Sequence, residues 1–274
     1  MKKPIALSKI IVYSFLSLMT LLSVMPFYFM IITGTYVNEA IYTGIKLVPG
    51  NYFLQNLHTV LSTNFMLFYK NSFVVALAST AGVMLVSCLA GFAFAKMEFP
   101  GKRFLFMFVL GTIMIPSQMG LVGMAIEMRW FGFINTHLSL ILPALANAFG
   151  VFWMRQYIAS SVPNEILESA NIDGCNMFIS FIRIVLPITR PALITLFLFF
   201  FLWSWNDYLV PLVMINNQDL YTIPLAIAIL GQLHRTDYAA RILALTLATL
   251  PVLGIFAAGS KYLIRGMVAG SLKG

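Results

Sequence analysis

The strongest constraint on this chain is where its charges are missing. Residues 10–38, 71–95, 104–126, 130–154 and 242–260 are mostly apolar and carry no ionised side chain, and 191–218 is broken only by Asp207. A bilayer-crossing helix needs about 20 predominantly apolar residues, so the pattern predicts six spans. Charged residues make up 9% of the 274 and hydrophobic ones 60%, where a soluble domain carries roughly 25% charged residues. A water-soluble globule is excluded, and so is a disordered chain. In lipid every backbone polar group needs an internal partner, and barrel strands would read as alternating segments of about ten residues. The expected fold is therefore an all-α integral membrane protein with six transmembrane helices.

The basic residues set its orientation. With both termini inside, the cytoplasmic side holds Lys2, Lys3, Lys9, Lys96, Lys102, Arg103, Arg155, Arg183, Arg190, Lys261, Arg265 and Lys273, twelve in all. The outer side holds five: Lys46, Lys70, Arg129, Arg235 and Arg241. Short-loop Lys/Arg bias marks the inside, so both termini are predicted to be cytoplasmic. The net charge of +8 comes in ones to threes between apolar blocks rather than as a stripe, which argues topology and not nucleic acid. The first apolar block follows Lys2 and Lys3 but runs too long for a signal-peptide core, and no A-x-A site follows Met30, so it is kept as a helix. Cys88 and Cys175 have neither metal nor redox spacing and are read as packing residues. Gly82, Ala90 and Gly91 suit close helix packing, and Pro116, Pro143 and Pro211 are expected to bend their helices.

The segment from Arg155 to Arg190, between spans four and five, is too long for a hairpin connection and too patterned for a linker. Ser160 and Ser161 ahead of Pro163, with Glu165 and Glu168 behind it, read as a helix start: cap donors, an early proline, and carboxylates at the positive end of the dipole. A short helix near 163–172 is expected, stopped at Asp173-Gly174 where glycine can turn left-handed. A second apolar-rich stretch runs from Met177 to Val185. Phe178, Phe181 and Ile182 fall at helical spacing and are expected to bury one face, while Glu168 and Asp173 stay polar, so the helix-turn-helix could present a knob to a partner. On composition alone, an interfacial amphipathic loop is the other reading.

The full pattern is Glu168-Ser169-Ala170-Asn171-Ile172-Asp173-Gly174, nine residues, then Ile184-Val185-Leu186-Pro187. It resembles the EAA loop of binding-protein-dependent ABC importer permeases, with Ser169 where alanine is usual. Asn71-Ser72-Phe73, Phe99-Pro100-Gly101-Lys102, Met114-Ile115-Pro116, Trp205-Asn206-Asp207 and the glycine-rich tail from Gly266 to Gly274 extend the likeness over nearly the whole chain, towards the six-helix carbohydrate-uptake permeases of the maltose-importer type. The resemblance implies a permease core over residues 70–274 with a coupling loop at 155–190, preceded by an N-terminal helix and first external loop over 1–69. It implies that Glu168, Ser169, Ala170, Asp173 and Gly174 enter a cleft of a cytoplasmic ATPase, with Pro187 joining loop to span five as a stiff lever. It further implies a second homologous permease, two copies of the ATPase, an extracellular or periplasmic solute-binding protein, a sugar substrate, and residence in a bacterial or archaeal cytoplasmic membrane. ATP and Mg would sit on the partner ATPase; this chain would bind no cofactor or metal and hold no catalytic residue.

Asp207 is the only carboxylate inside a long apolar block, and intramembrane ionisable residues are functional candidates by default. At 1.5 Å per residue it lies about 25 Å beyond Arg190, near the outer interface, where Trp203, Trp205 and Tyr208 could form an aromatic belt. Interface anchor, structural gate and direct sugar contact stay open for it, and Trp203, Asn206, Asp207 and Tyr208 are the candidate pathway residues. The outer loop from Asn216 to Tyr238 includes an apolar stretch, Leu225 to Leu230, too short to span. The family likeness implies that this loop reaches a binding protein; a solvated loop on the membrane is the alternative. The tail Gly270 to Gly274 would reach towards the ATPase interface, or simply fray.

An enzyme would need converging acids, bases or nucleophiles, yet His58, His137 and His234 are isolated in the sequence and all expected to lie outside the bilayer. No G-x-x-x-x-G-K-[ST] phosphate loop is present, so nucleotide hydrolysis would belong to another chain. The rival is an ion-coupled secondary transporter, which predicts mid-membrane carboxylates and an internal repeat; a purely structural subunit would leave the patterned loop unexplained.

Overall fold

The structure, a computed structural model, describes residues 7–233 and 237–271, with 7, 230–233 and 260–271 described by backbone alone. Lys2, Lys3, His234, Arg235, Lys273 and the end of the tail beyond Ser271 lie outside the described residues. Apart from turns and short connections the described residues are helical, with no strand among them. In chain order the helices are α1 (Leu7–Thr33), α2 (Phe53–Leu61), α3 (Phe65–Lys96), α4 (Lys102–Ile113), α5 (Leu121–Trp130), α6 (Leu138–Leu145), α7 (Ala148–Ser161), α8 (Asn164–Ile172), α9 (Met177–Ser180), α10 (Leu186–Ile188), α11 (Arg190–Asn206), α12 (Leu209–Met214), α13 (Ile223–Leu233) and α14 (Tyr238–Ser271).

Three of the expected spans are unbroken helices: Ser8–Thr33, Phe65–Lys96 and Tyr238–Gly259. The other three apolar stretches are bent pairs. Lys102–Ile113 meets Ser117–Trp130 at 95°, Leu138–Leu145 meets Ala148–Ser161 at 41°, and Met177–Ile188 meets Arg190–Asn206 at 76°. Pro116 stands in the first break and Pro143 one turn ahead of the second, as proline's missing donor predicts. Pro211 lies inside α12, after the chain has already left helix at Asp207, so it marks no bend of its own.

The chain divides into two compact units, Met1–Met66 with Ile227–Leu250, and Leu67–Ala226 with Pro251–Gly274. In the first, Asn56 Nδ2 donates to the carbonyls of Gly34 (2.9 Å) and Tyr36 (2.8 Å), and the Gly50 amide donates to Thr35 Oγ1 (2.7 Å). These bonds hold the connection after α1 back against the α1 terminus. The apolar side chains of α1, such as Leu21 at 63% and Tyr13 at 64% exposure, stay uncovered, as a helix facing lipid requires.

In the second unit α3, α7 and α11 form the core. Val83, Cys88 and Phe92 of α3 meet Met154 and Ile158 of α7 and Leu196 and Phe200 of α11. The approach of α3 to α7 is set by glycine: a Cβ on Gly91 would lie 2.7 Å from Met154 Cβ and 2.8 Å from the Arg155 nitrogen, and one on Gly82 would lie 2.9 Å from Leu145 Cγ. The packing roles read for Gly82 and Gly91 are thus seen directly. Trp205, read as a belt residue, is instead 2% exposed. It stands at i+4 from Phe201 on α11, facing Tyr69 and Phe73 at i,i+4 on α3, with ring centroids 4.8 Å from Phe73 and 5.6 Å from Tyr69. Two matched helical faces interlock there, and each aromatic pair adds about 0.5–1.5 kcal/mol beyond burial.

Candidate functional site

The helix-turn-helix is present where the sequence predicts it. Helix α8 ends with the Asp173 cap; Gly174 takes φ +83°, its amide donates to Asn171 O (3.0 Å), and the Cys175 amide reaches back to Ala170 O (2.9 Å). These two bonds are a Schellman closure, which needs a left-handed residue at that position. Asn176 then caps α9, its Oδ1 accepting from the Ile179 amide at 2.9 Å. The start of α8 differs from the expectation. Ser160 and Ser161 are the last turn of α7, Ser160 Oγ donating to Tyr157 O (3.1 Å), and the N-cap is Pro163. Lys96 Nζ, donating to Asn164 Oδ1 at 2.7 Å, ties the first residue of α8 to the end of α3.

The buried face also differs. Phe178 is 64% exposed and Ile182 45%, whereas Phe181 and Val185 are 4% and 0%. Residues Phe181–Val185 form a π turn, and burial follows its i,i+4 positions. Phe181 packs on Phe92, ring centroids 5.2 Å apart, and with Val185 joins the α3–α7–α11 core. The outer surface of the unit therefore carries Glu168, Ser169 and Asp173 together with Ile172 (87% exposed) and Phe178. Ala170 points inward at 8% exposure; its small size lets α8 close on its own turn. Pro187, expected to open span five, lies in α10 ahead of the 76° break; the break itself is Thr189, fully buried, with Oγ1 donating to Val185 O at 2.9 Å, and Pro191 opens α11.

A second feature lies farther along the same helices: a cavity of about 310 Å³. Trp203 and Asp207, two of the four pathway residues named from sequence, line it; Asn206 and Tyr208 do not. Asn206 turns its amide back to Leu202 O (2.8 Å), and Asp207 Oδ1 accepts from the Val210 amide at 3.3 Å, at the start of α12. The sequence reading missed Ser79 and Thr80 of α3, Gln118 at the α4–α5 break, Asn147 at the α6–α7 break, and Thr222. Only the breaks could have flagged them, since a polar residue at a helix interruption is where irregular backbone lines a cavity. Among the described residues no group of three or more His, Cys, Asp or Glu converges as a metal site would need.

The segment after α12 is fastened at several points. Asn135, left-handed at φ 59°, accepts through Oδ1 from the amides of Asn216 (3.0 Å) and Asn217 (2.8 Å). Asn71 Nδ2 donates to Asp219 O (2.7 Å) and Tyr221 O (3.1 Å), Ser72 Oγ accepts from the Ile223 amide (2.7 Å), and His137 Nε2 lies 3.0 Å from Leu220 O. The stretch read as a loop from Asn216 then becomes α13, with Leu225 and Ala226 at 0% and 1% exposure, not a solvated segment on a membrane surface.

Comparison with known proteins bears on both features. Residues 84–268 match the protein family described as binding-protein-dependent transport system inner membrane component. The chain is 32% identical over 268 residues to the lactose transport system permease protein LacG of Rhizobium radiobacter, covering 97% of each chain. It is 30% identical over 253 residues to the sn-glycerol-3-phosphate transport system permease protein UgpE of Escherichia coli, covering 89% of this chain and 90% of that one. A chain from the crystal structure of a bacterial ABC transporter involved in import of the acidic polysaccharide alginate superposes with a TM-score of 0.79, at 19% identity, over 96% of this chain and 98% of that one.

Proposed function

This chain belongs to the inner membrane components of binding-protein-dependent transport systems, and we propose that it is the permease subunit of a carbohydrate importer driven by a partner ATPase. The observation that carries this is one of connection. Phe181 and Val185 seat the helix-turn-helix in the α3–α7–α11 core, two of whose helices, α3 and α11, also line the cavity. That packing gives a push on the exposed tip at Glu168, Asp173, Ile172 and Phe178 a contiguous route to Val83 and Phe200, which belong both to the core and to the cavity wall, and this supports the coupling reading. The carbohydrate assignment draws on LacG, named for lactose. The family's dependence on a binding protein leaves no support for the ion-coupled alternative.

In this reading the three unbroken helices and three bent pairs are six spans, both termini and the loop 155–190 are cytoplasmic, and residues 70–274 are the permease core. Glu168, Ser169, Asp173 and Gly174 dock on one of two ATPase copies, which hold ATP and Mg. Ala170 keeps the turn closed, and Pro187 stiffens the link to α11. A second, homologous permease completes the pathway, and a solute-binding protein delivers the sugar. ATP-dependent uptake of labelled neutral oligosaccharides into vesicles holding all components tests this, with Glu168→Ala and Gly174→Pro in parallel. Uptake is expected to need every component and to fail in Gly174→Pro while the complex stays assembled. Uptake by this chain alone on an ion gradient, indifferent to the loop, would overturn it.

A further inference from the structure

The connection between α1 and α2 exposes the wrong residues for a loop in water. Across residues 42–49, which no α-helix covers, Ile45, Leu47 and Val48 are 80%, 62% and 69% exposed, while Lys46, the only charged side chain there, is the one residue partly covered. Its ammonium turns back into the loop, donating to Thr43 Oγ1 at 2.9 Å and lying 5.5 Å from the centroid of the Tyr36 ring. Single exposed apolar side chains are ordinary, but three within four residues around a withdrawn charge invert the pattern of a solvated loop.

The backbone fixes where this apolar tip sits. On its return the loop is fastened to the end of α1 by the Gly50 and Tyr52 amides, which donate to Thr35 Oγ1 (2.7 Å) and Thr35 O (2.9 Å). Before that it folds back along α1: the Tyr28 hydroxyl donates to Leu47 O, and the Tyr36 hydroxyl to Val48 O at 2.7 Å. Tyr28 lies five residues before Thr33, the end of α1, which is about 7 Å of helix, and aromatic side chains on a helix lean towards its N-terminus. Leu47 is thereby drawn below the end of the helix. From Lys9 to Tyr28 is nineteen residues, about 28 Å of helix against a hydrocarbon core of about 30 Å. With Lys9 at the inner boundary, Tyr28 stands at the outer one, the level that tyrosine favours. Backbone carbonyls in that water-poor zone need protein donors, and the two consecutive carbonyls of the tip both have one. Val24 and Ile31, the i−4 and i+3 neighbours of Tyr28 on α1, are exposed as well, so the tip continues the uncovered apolar surface of that helix.

We propose that residues 45–48 are a wedge seated in the outer leaflet, with Ile45, Leu47 and Val48 among lipid acyl chains at the hydrocarbon boundary, Lys46 withdrawn from them, and Tyr28 and Tyr36 holding the backbone. The partner is the bilayer itself, because a soluble protein docking from outside meets the top of this loop and not a tip folded below the helix end. The wedge hooks the outer end of α1 at a fixed depth. Its side of the membrane rests on the topology proposed above, which Cys175 labelling tests separately; the depth is read the same way from either side.

The test is power-saturation EPR of nitroxides attached through Ile45→Cys, Leu47→Cys and Glu39→Cys, each with Cys175→Ser, in the complete permease–ATPase complex in nanodiscs. Oxygen concentrates in hydrocarbon, and a chelated nickel reagent stays in water. Labels at 45 and 47 are expected to meet oxygen, relative to nickel, severalfold more than the label at exposed Glu39. Tyr28→Phe keeps the ring and removes the donor to Leu47 O, and should bring the ratio at 47 down towards that at 39; an unchanged ratio overturns the seating role of Tyr28. Ready contact with nickel at 45 and 47 puts the tip in water and overturns the inference. So does exclusion of both reagents, which places the tip under a protein partner.

Discussion

Gly174 is held at φ +83° with nothing within 4 Å of where a Cβ would sit. Substitution there is opposed by backbone conformation alone, and a non-glycine residue in that region costs about 1–2 kcal/mol, less for asparagine, which visits it readily. Gly174→Ala is therefore expected to loosen the turn between α8 and α9 and slow ATP-driven uptake severalfold, with Gly174→Asn recovering most of it; equal uptake in both variants would show that the torsion does not matter to coupling. Phe181 is a different kind of residue, 4% exposed and packed on Phe92. Phe181→Ala removes the ring from the core and should cost about 3–5 kcal/mol, read as a lower thermal midpoint of the purified complex. The glycine was legible in the sequence because Asp-Gly after a short helical run has one common structural use. The choice of Phe181 over Phe178 was not, because periodicity gives the phase of a helix and not which neighbours it meets.

At the scale of elements, the contact of α3 with α7 is set by absent side chains. Gly91→Ala would place a methyl 2.7 Å from Met154 Cβ and 2.8 Å from a backbone nitrogen, neither of which can swing aside, so the helices must part. Overpacking of this kind costs about 1–3 kcal/mol. Gly111→Ala in α4, where a Cβ meets nothing within 4 Å, should be neutral or stabilising by up to about 1 kcal/mol through helix propensity. Thermal unfolding of the two variants side by side checks the pair; matched midpoints would refute the close-packing role. The breaks at Pro116 and after Pro143 were legible as prolines. The break at Thr189 was not, because there the buried hydroxyl bonds back to Val185 O and Leu186 O as the chain turns by 76°, and threonine carries no such signal in one dimension.

For the molecule as a whole, the two native cysteines report the orientation in the membrane. Cys88 is 3% exposed inside α3, while Cys175 is partly exposed in the turn of the helix-turn-helix. A membrane-impermeant maleimide is expected to label Cys175 in inside-out vesicles and not in right-side-out ones, and docked ATPase should slow the reaction. Labelling from the outside would invert the proposed topology.

What the sequence determined by itself was whatever depends on composition and local order: a membrane-embedded all-helical chain, from charge-free blocks that lipid alone tolerates, and a helix-turn-helix between Arg155 and Arg190, from proline, carboxylates and Asp173-Gly174 in a fixed spacing. Trp203 and Asp207 were also visible, as polar groups in an apolar field. Only the tertiary structure decided that Trp205 is core and not belt, that Ala170 faces inward, and that Ser79, Thr80 and Thr222 share one cavity. Thr80 and Thr222 lie 142 residues apart in the chain. No local pattern marks such a lining, because the cavity exists only once α3, α11 and the two helix breaks have come together.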